Sequence, residues 1–560
     1  SLWLIFNLFP LNSWKNQKIL TSLESFNKFL EVNRYMKKSP SKYLYLLAFL
    51  EGSSVMACEV SGAKLASPFF GTSLYVWGTS LSIALIALSL GYFTSGWLSK
   101  KLNVIRTLLW TLAAASILLI YMPDISKEMI SDSIVTQDLA GKKINEAEIN
   151  NEFITDAIFC MSSYMFFPLF LFGMVPTMIS HRLNNVLEKT GNTVGKVFTI
   201  STIGGIISTY LIGFYLLPEF GTANTLLVFG GLTGGTAVIF LFINLDLLAF
   251  IPLFILITGF FKTPEINKNK DHEILYHSKG ILGDLKVVEQ PYTTQSGKKT
   301  RARIFFMNNI SQTIMNANKL DRTLWEYAHY FTAPAEVFPV GSKVLLLGLG
   351  GGTFYNQFKH MGHQVDIVEF DERTAEIAKE YFNVKPENEI IIDDARHYIN
   401  VTQKEYEVIT CDLYKSERPP AYVLTYESFK RIKEVLSEKG MLIINFYRNF
   451  KGEKGKPLRS IVKTLKKAGF FVELLQTPGN MVIIASKIKR DYSGIEHKYP
   501  SLPTIKNLNE KFLDKSKLDL SKDPVLYDHK PILKKMFVKN ALERRNIHNY
   551  LFARQFLDED

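Results

Sequence analysis

Cysteine is scarce: the chain of 560 residues has three, Cys58, Cys160 and Cys411. Two lie in apolar runs and the third ends a strand-like segment, so no spacing serves a metal site or a disulfide framework. Charge is scarce within the long apolar runs that dominate residues 43–261. Such runs do not read as soluble core helices. A small-residue cleavage site is also missing from the start, and the apolar stretch 2–10 is too brief to span a bilayer. That stretch reads as an interfacial segment or the stub of a removed helix. The first residue is Ser1, so an upstream piece is expected. The net charge of +12 raises the possibility of nucleic-acid binding, but no recognition motif accompanies it. Many Lys and Arg residues instead flank the apolar runs, as cytosolic anchors do. We therefore expect no nucleic-acid partner.

What is present falls into two regimes. Residues 43–70, 73–98, 104–121, 157–179, 197–217, 224–243 and 247–261 read as membrane-crossing candidates, since a span needs about 20 apolar residues. Basic residues before the first run (Lys28, Arg34, Lys37, Lys38), after the second (Lys100, Lys101, Arg106) and after the fourth (Arg182, Lys189, Lys196) belong inside. The acidic loop 124–156 belongs outside. Six crossings return the chain to the cytosol. A seventh would not, so the short run 247–261 is expected not to cross fully, and Lys262, Lys268 and Lys270 after it favour the inside. Glu51, Glu59 and Lys64 lie in or beside the first run, where Gly52, Ser53, Ser54, Ser61 and Gly62 suit a broken helix lining a polar pocket. A structural ion pair between helices is the other reading. Gly191, Gly195, Gly205, Thr209 and Gly213 recur at one-turn spacing, which suits close helix packing.

Residues 262–560 read as a soluble protein rich in Lys and Glu. Strands are expected at 285–289 and 303–307, forming a small antiparallel lead-in. An alternation follows: strands at 343–347, 364–369, 389–392, 408–412 and 441–446, with helices at 355–360, 373–382 and 426–435. Alternation of this kind predicts a doubly wound parallel sheet. The segments 470–475 and 481–486, around Pro478-Gly479-Asn480, predict a closing hairpin.

The turn Gly348-Leu349-Gly350-Gly351-Gly352-Thr353 follows the first of these strands and opens a helix. Glycine lets a backbone bend sharply and approach a ligand without a Cβ. Glu369 ends the next strand about 20 residues on, where an acid accepts ribose hydroxyls. Asp394 follows the third strand, placed either to accept an adenine amino group or to cap a helix. Asp412 ends the fourth, placed either to orient and deprotonate an amine or to cap a loop.

These residues occur in the order and spacing of the spermidine synthase (polyamine aminopropyltransferase) family. The carriers are the run 344–353, Val368-Glu369-Phe370-Asp371-Glu372, Asp394-Ala395-Arg396, the block 406–412, and Asn308-Asn309-Ile310-Ser311-Gln312. The resemblance spans about residues 286–486. The apolar half resembles the multi-pass region fused to such domains in bacteria, through Glu59-Val60, the glycines between 195 and 213, and Gly213 to Pro218 ahead of Gly221. The resemblance implies a transmembrane helical bundle followed by a Rossmann-like, class I methyltransferase-like α/β domain. It implies that decarboxylated S-adenosylmethionine, or S-adenosylmethionine itself, is the co-substrate, with no metal, and that a small amine is the acceptor. Gly348, Gly350, Gly351 and Gly352 would cradle the nucleoside, Glu369 hold the ribose, Asp394 with Ala395 the adenine, and Gln312 the donor's tail. Asp412 would act on the attacking amine. The chain departs from the family's pattern where Gly351 and Lys415 stand in place of acids, which removes negative charge from the place of a diamine and its donor.

The expected organisation is an interfacial segment 1–42, a multi-pass domain 43–261, a linker 262–284, a β lead-in 285–335, a Rossmann-like domain 336–490 and a charged tail 491–560. The loosely family-like Asp528-His529-Lys530-Pro531 falls within the tail. The expected setting is the inner membrane, with the catalytic domain in the cytoplasm and a homodimer as the assembly. A methyltransferase, and a transporter or sensor with an adenosyl-binding domain, remain open alternatives.

Overall fold

The structure, a computed structural model, describes residues 40–71, 74–99, 102–135, 146–187, 190–261, 272–280, 282–294, 297, 299–414, 418–477, 479–499, 504–537, 540–541 and 544–545. The interfacial segment falls almost wholly outside these residues, and Lys415 and residues 262–271 of the expected linker lie outside them; most of the linker's remainder is strand, in Glu273–Gly280 and the start of Gly283–Thr293. The chain divides into two compact units, one drawn mainly from residues up to Glu265 and one mainly from Ile266 onward.

The first unit is helical: α1 Pro40–Phe70, α2 Leu74–Leu98, α3 Val104–Val135, α4 Glu146–Leu187, α5 Thr190–Leu211, α6 Leu217–Ile243 and α7 Phe250–Phe260. Among the described residues, five stretches are long and apolar enough to cross a membrane: Lys42–Phe70, Val76–Leu98, Val104–Ile130, Thr155–Asn184 and Gly191–Ile243. The last has 53 residues, over twice what a crossing needs. Its helical path is interrupted by a π turn at Ile212–Leu216 and by Gly221, whose φ of 74° and ψ of 176° only glycine tolerates. The two runs expected at 197–217 and 224–243 are therefore one helical stretch with a break. Leu247–Phe260 is shorter than a crossing requires.

Two expectations are corrected here. Helix α1 is unbroken across Gly52–Gly62, because these small residues serve helix packing rather than a bend: Gly52 lies against the carbonyl of Ser201, and Gly204 against that of Phe49, with no room for a Cβ. The acidic loop 124–156 is helical in most of its described part, since α3 runs to Val135 and α4 starts at Glu146. Of the one-turn glycines, Gly205 packs on Met56, whereas Gly191, Gly195 and Gly213 meet nothing. Buried Glu51 accepts a hydrogen bond from Ser201 Oγ at 2.8 Å. Leu85, Phe93, Ile206 and Phe214 face outward and are exposed, the inverse of a soluble surface.

The second unit opens with an antiparallel sheet of β1 Glu273–Gly280, β2 Gly283–Thr293, β3 Lys299–Met307, β4 Ile310–Asn316 and β5 Lys319–Thr323, paired in sequence order. The expected lead-in of two strands is thus a five-stranded sheet. Strand alternation splits its side chains between two cores. Leu285, Val287, Phe305 and Met315 join a core shared with the larger sheet, and Val288, Ala302, Ile304 and Phe306 form the other. Asn308 and Asn309, both at positive φ (50° and 62°), make the two-residue turn between β3 and β4.

The larger sheet has β6 Lys343–Leu347, β7 Gln364–Glu369, β8 Ile391–Ile392, β9 Tyr406–Cys411, β10 Leu436–Tyr447, β11 Phe471–Gln476 and β12 Asn480–Ser486. Their spatial order is β11-β12-β10-β9-β6-β7-β8. The five strands from β10 to β8 are parallel, and β12 runs antiparallel to both its neighbours. The helices that accompany it include α8 Glu326–Thr332, α9 Thr353–His360, α10 Glu372–Phe382, α11 Ala395–Val401, α12 Tyr426–Val435 and α13 Lys456–Lys467. One face of the sheet buries Leu345, Leu347, Ile409 and Leu442 under Phe429 and Ile461; the other buries Val344, Leu346, Val408 and Ile443 under Phe358 and Ile377. The chain leaves β6 toward β7 on one side and later returns to β9 on the other. The carboxyl ends of β6 and β9 therefore flank a topological switch point, where doubly wound sheets open a crevice.

The stretch expected as a charged tail contributes to both cores. Tyr492, Ile495, Ile505 and Leu508 enter one, and Leu513, Leu526, Leu533, Phe537 and Ala541 the other.

Candidate functional site

Backbone hydrogen bonds hold the strand tips side by side. Gly348 N–H donates to Val368 O at 2.9 Å, Asp412 N–H to Leu347 O at 3.1 Å, and Asp393 N–H to Glu369 O at 3.0 Å. The tips carrying the glycine turn, Glu369, Asp394 and Asp412 thus form one rim.

Gly348 turns the chain at a φ of 87°, and a Cβ there would stand 2.6 Å from Asp412 O. Gly350 and Gly352 also take positive φ, and Gly352 precedes the first residue of α9. Gly351 N–H donates to Thr313 Oγ1 at 2.8 Å, so β4 of the smaller sheet closes over the turn. Gln312, the residue before Thr313, brings its backbone to 4.0 Å from the Cβ position of Gly350. Its side-chain amide donates to Ile310 O at 3.1 Å.

Glu369 is half-buried, and its carboxylate accepts three backbone N–H groups: Leu349 at 3.0 Å, Phe370 at 2.8 Å and Asp371 at 3.0 Å. Burial pushes its carboxyl up from the ordinary value, against the pull of these donors. A carboxylate has about four lone-pair sites, so an acceptor site is left for a hydroxyl. Phe370 beside it is exposed.

Asp394 is the N-cap of α11, accepting from Arg396 N at 2.8 Å and His397 N at 3.1 Å. Its other oxygen takes the Tyr422 hydroxyl at 2.6 Å. The capping alternative is therefore realised, and Ala395 is the buried first residue of that helix. Tyr422 and Arg396 border a cavity of about 340 Å³ that also reaches Thr425 and Asp528.

Asp412 lies one residue beyond β9. Asn445 Nδ2 donates to its Oδ1 at 2.7 Å, and Asn480 Nδ2 donates to Asn445 Oδ1 at 3.0 Å. Burial raises the Asp412 carboxyl to about 6, while Asn445 and the charge of Arg544 oppose that rise. Tyr327 bonds Asn445, and the Tyr414 hydroxyl donates to Asn445 O at 3.3 Å. The outcome is a carboxylate at the switch point, held in one orientation and ringed by tyrosines.

Residues 331–481 match the spermine/spermidine synthase domain as a family. The C-terminal part is a spermidine synthase domain. It is a transferase domain of the polyamine aminopropyltransferase kind. The chain is 23% identical over 483 residues to polyamine aminopropyltransferase 2 of Aquifex aeolicus, covering 82% of this chain and 91% of that one. It is 24% identical over 228 residues to the polyamine aminopropyltransferase of Vibrio vulnificus, covering 38% of this chain and 71% of that one. A probable spermidine synthase of Corynebacterium glutamicum, seen as a crystal structure, aligns at 16% identity with a TM-score of 0.35, covering 46% of this chain and 95% of that one.

Sequence reasoning missed several residues of this candidate site. Asn445 had a signal, as the one amide in the apolar run Met441–Phe446 of β10. Thr313, Tyr327, Tyr422 and Arg544 had none, because their partners lie far away in sequence.

Proposed function

We propose that the synthase domain moves an aminopropyl group from decarboxylated S-adenosylmethionine to a small amine, at the cytoplasmic side of an inner membrane crossed by the helical unit. The observation that carries this reading is Asp412, fixed by Asn445 at the switch point beside the glycine turn. In this reading Gly348, Gly350, Gly351 and Gly352 give the nucleoside a close approach. Glu369 accepts a ribose hydroxyl through its unused lone pair, Asp394 and Ala395 border the adenine, and Gln312 lies along the donor's tail. The donor's sulfonium is already activated, so the protein's task is to position the amine and keep it neutral. The amine nitrogen forms a bond to the carbon next to sulfur. The carbon–sulfur bond breaks, and methylthioadenosine leaves with its electron pair. The new ammonium sheds a proton, and Asp412, ionised above pH of about 6, orients the amine and receives it.

The test is incubation of the purified full chain with decarboxylated S-adenosylmethionine and a panel of amines including putrescine. Release of methylthioadenosine is expected, and none from any amine overturns the proposal. Gly351, in place of an acid, favours a second reading: a donor that keeps its carboxylate meets less repulsion there. Formation of S-adenosylhomocysteine from S-adenosylmethionine would select that methyl-transfer reading.

A further inference from the structure

The surroundings of Asp412 already hold a cation that belongs to the chain. The Arg544 guanidinium carbon stands 4.8 Å from the centre of the Tyr447 ring and 5.7 Å from that of Tyr414. Both are distances at which a cation is drawn to an aromatic face. The two rings meet edge to face, with centroids 5.8 Å apart. Arg544 also bonds to Tyr447, and its charge acts on Asp412, Tyr414 and Tyr327. Tyrosine faces around a carboxylate form the chemistry that recognises an organic ammonium or guanidinium ion.

Under the aminopropyl-transfer reading, on which this step rests, an amine must bring its nitrogen to Asp412. Most small amines are cations at neutral pH, and two cations in one desolvated cage repel each other. We propose that Arg544 is the internal competitor of the acceptor amine, and that it sets how tightly amines bind beside Asp412. The guanidinium lies against the same tyrosine faces that a substrate's ammonium would use, and its charge acts on the same carboxylate. An incoming amine gains only the difference between its own contacts and those of Arg544. Gly351, standing in place of an acid, works in the same direction, because there is less negative charge to share between two cations.

The test compares putrescine binding by calorimetry in the full chain and its Arg544→Ala and Arg544→Gln variants. Both substitutions are expected to tighten putrescine binding by about tenfold or more. Equal or weaker binding in both variants, including no binding in any of the three proteins, overturns the proposal. Methylthioadenosine is titrated into the same preparations and reports separately on the nucleoside berth. Its failure to bind refutes the adenosyl reading without altering the putrescine comparison.

Discussion

The properties of Asp412 arise from one amide and one guanidinium set against burial. Its carboxyl is raised from 3.8 to about 6, so the native chain binds its proton more tightly than the unfolded chain does. Stability from this group is full below the unfolded value and is lost as pH rises through the folded one. Asp412→Asn is therefore expected to melt higher than the parent at pH of about 8, with the gap narrowing as pH falls through about 6. Calorimetry at several pH values checks this; a gap independent of pH would mean that the carboxyl titrates normally. Asn445→Leu removes a donor to the charged form, so the acid limb of the pH–rate profile for methylthioadenosine release should move to higher pH. For Glu369→Ala, nucleoside affinity should fall by about 1–3 kcal/mol, the scale of charge-assisted hydrogen bonds. Unchanged affinity by calorimetry would remove Glu369 from the berth. At this scale the sequence was readable where a residue announces itself against its neighbours. Glu369 and Asp412 stand at the ends of apolar strands, and Asn445 interrupts one. Arg544 and Tyr327 show nothing of the kind, since their meaning lies in which distant residues they touch.

Among elements, the strands of the larger sheet were the most legible, because buried parallel strands are short, apolar and β-branched. β6 and β7 fall on their expected bounds. Helix α13 was missed although Leu458, Ile461, Val462 and Leu465 follow a helical stripe, since four lysines and an arginine in twelve residues read as plain charge. The strands β1, β4 and β5, the first and last of them at the sheet's edges, were missed because they carry many polar residues and are only partly buried. The contact between β4 and the glycine turn yields a prediction. Thr313→Val keeps the shape but strips Gly351 N–H of its acceptor, a buried loss of about 1–3 kcal/mol. Urea denaturation of the variant should show that loss, together with weaker nucleoside binding. Unaltered stability would mean that Gly351 N–H finds another acceptor.

For the molecule as a whole, the division into an apolar half and an alternating half was plain from charge distribution alone. Less visible was the role of the residues after β12, which look solvated because charged and apolar residues alternate irregularly there. Arg459 pairs with buried Asp523 at 2.8 Å, and Leu513, Leu526, Leu533 and Phe537 cover one face of the sheet. Each such side chain contributes about 1.5–3 kcal/mol when fully buried, against a usual domain stability of about 5–15 kcal/mol. Deleting residues from 505 onward is expected to abolish the cooperative melting transition of the α/β half. A truncated protein that still melts in one sharp step at the parent's temperature would show that the segment is dispensable.

That wrapping has a bearing on how the protein is made. A ribosome finishes every strand of the large sheet before it adds the segment that completes both cores, so the half-made domain emerges with part of its greasy surface bare. Nascent chains halted near residue 490 should be cut readily by protease and bound by chaperones, and those halted after residue 545 has emerged should resist. The domain is sealed late, by its own trailing stretch.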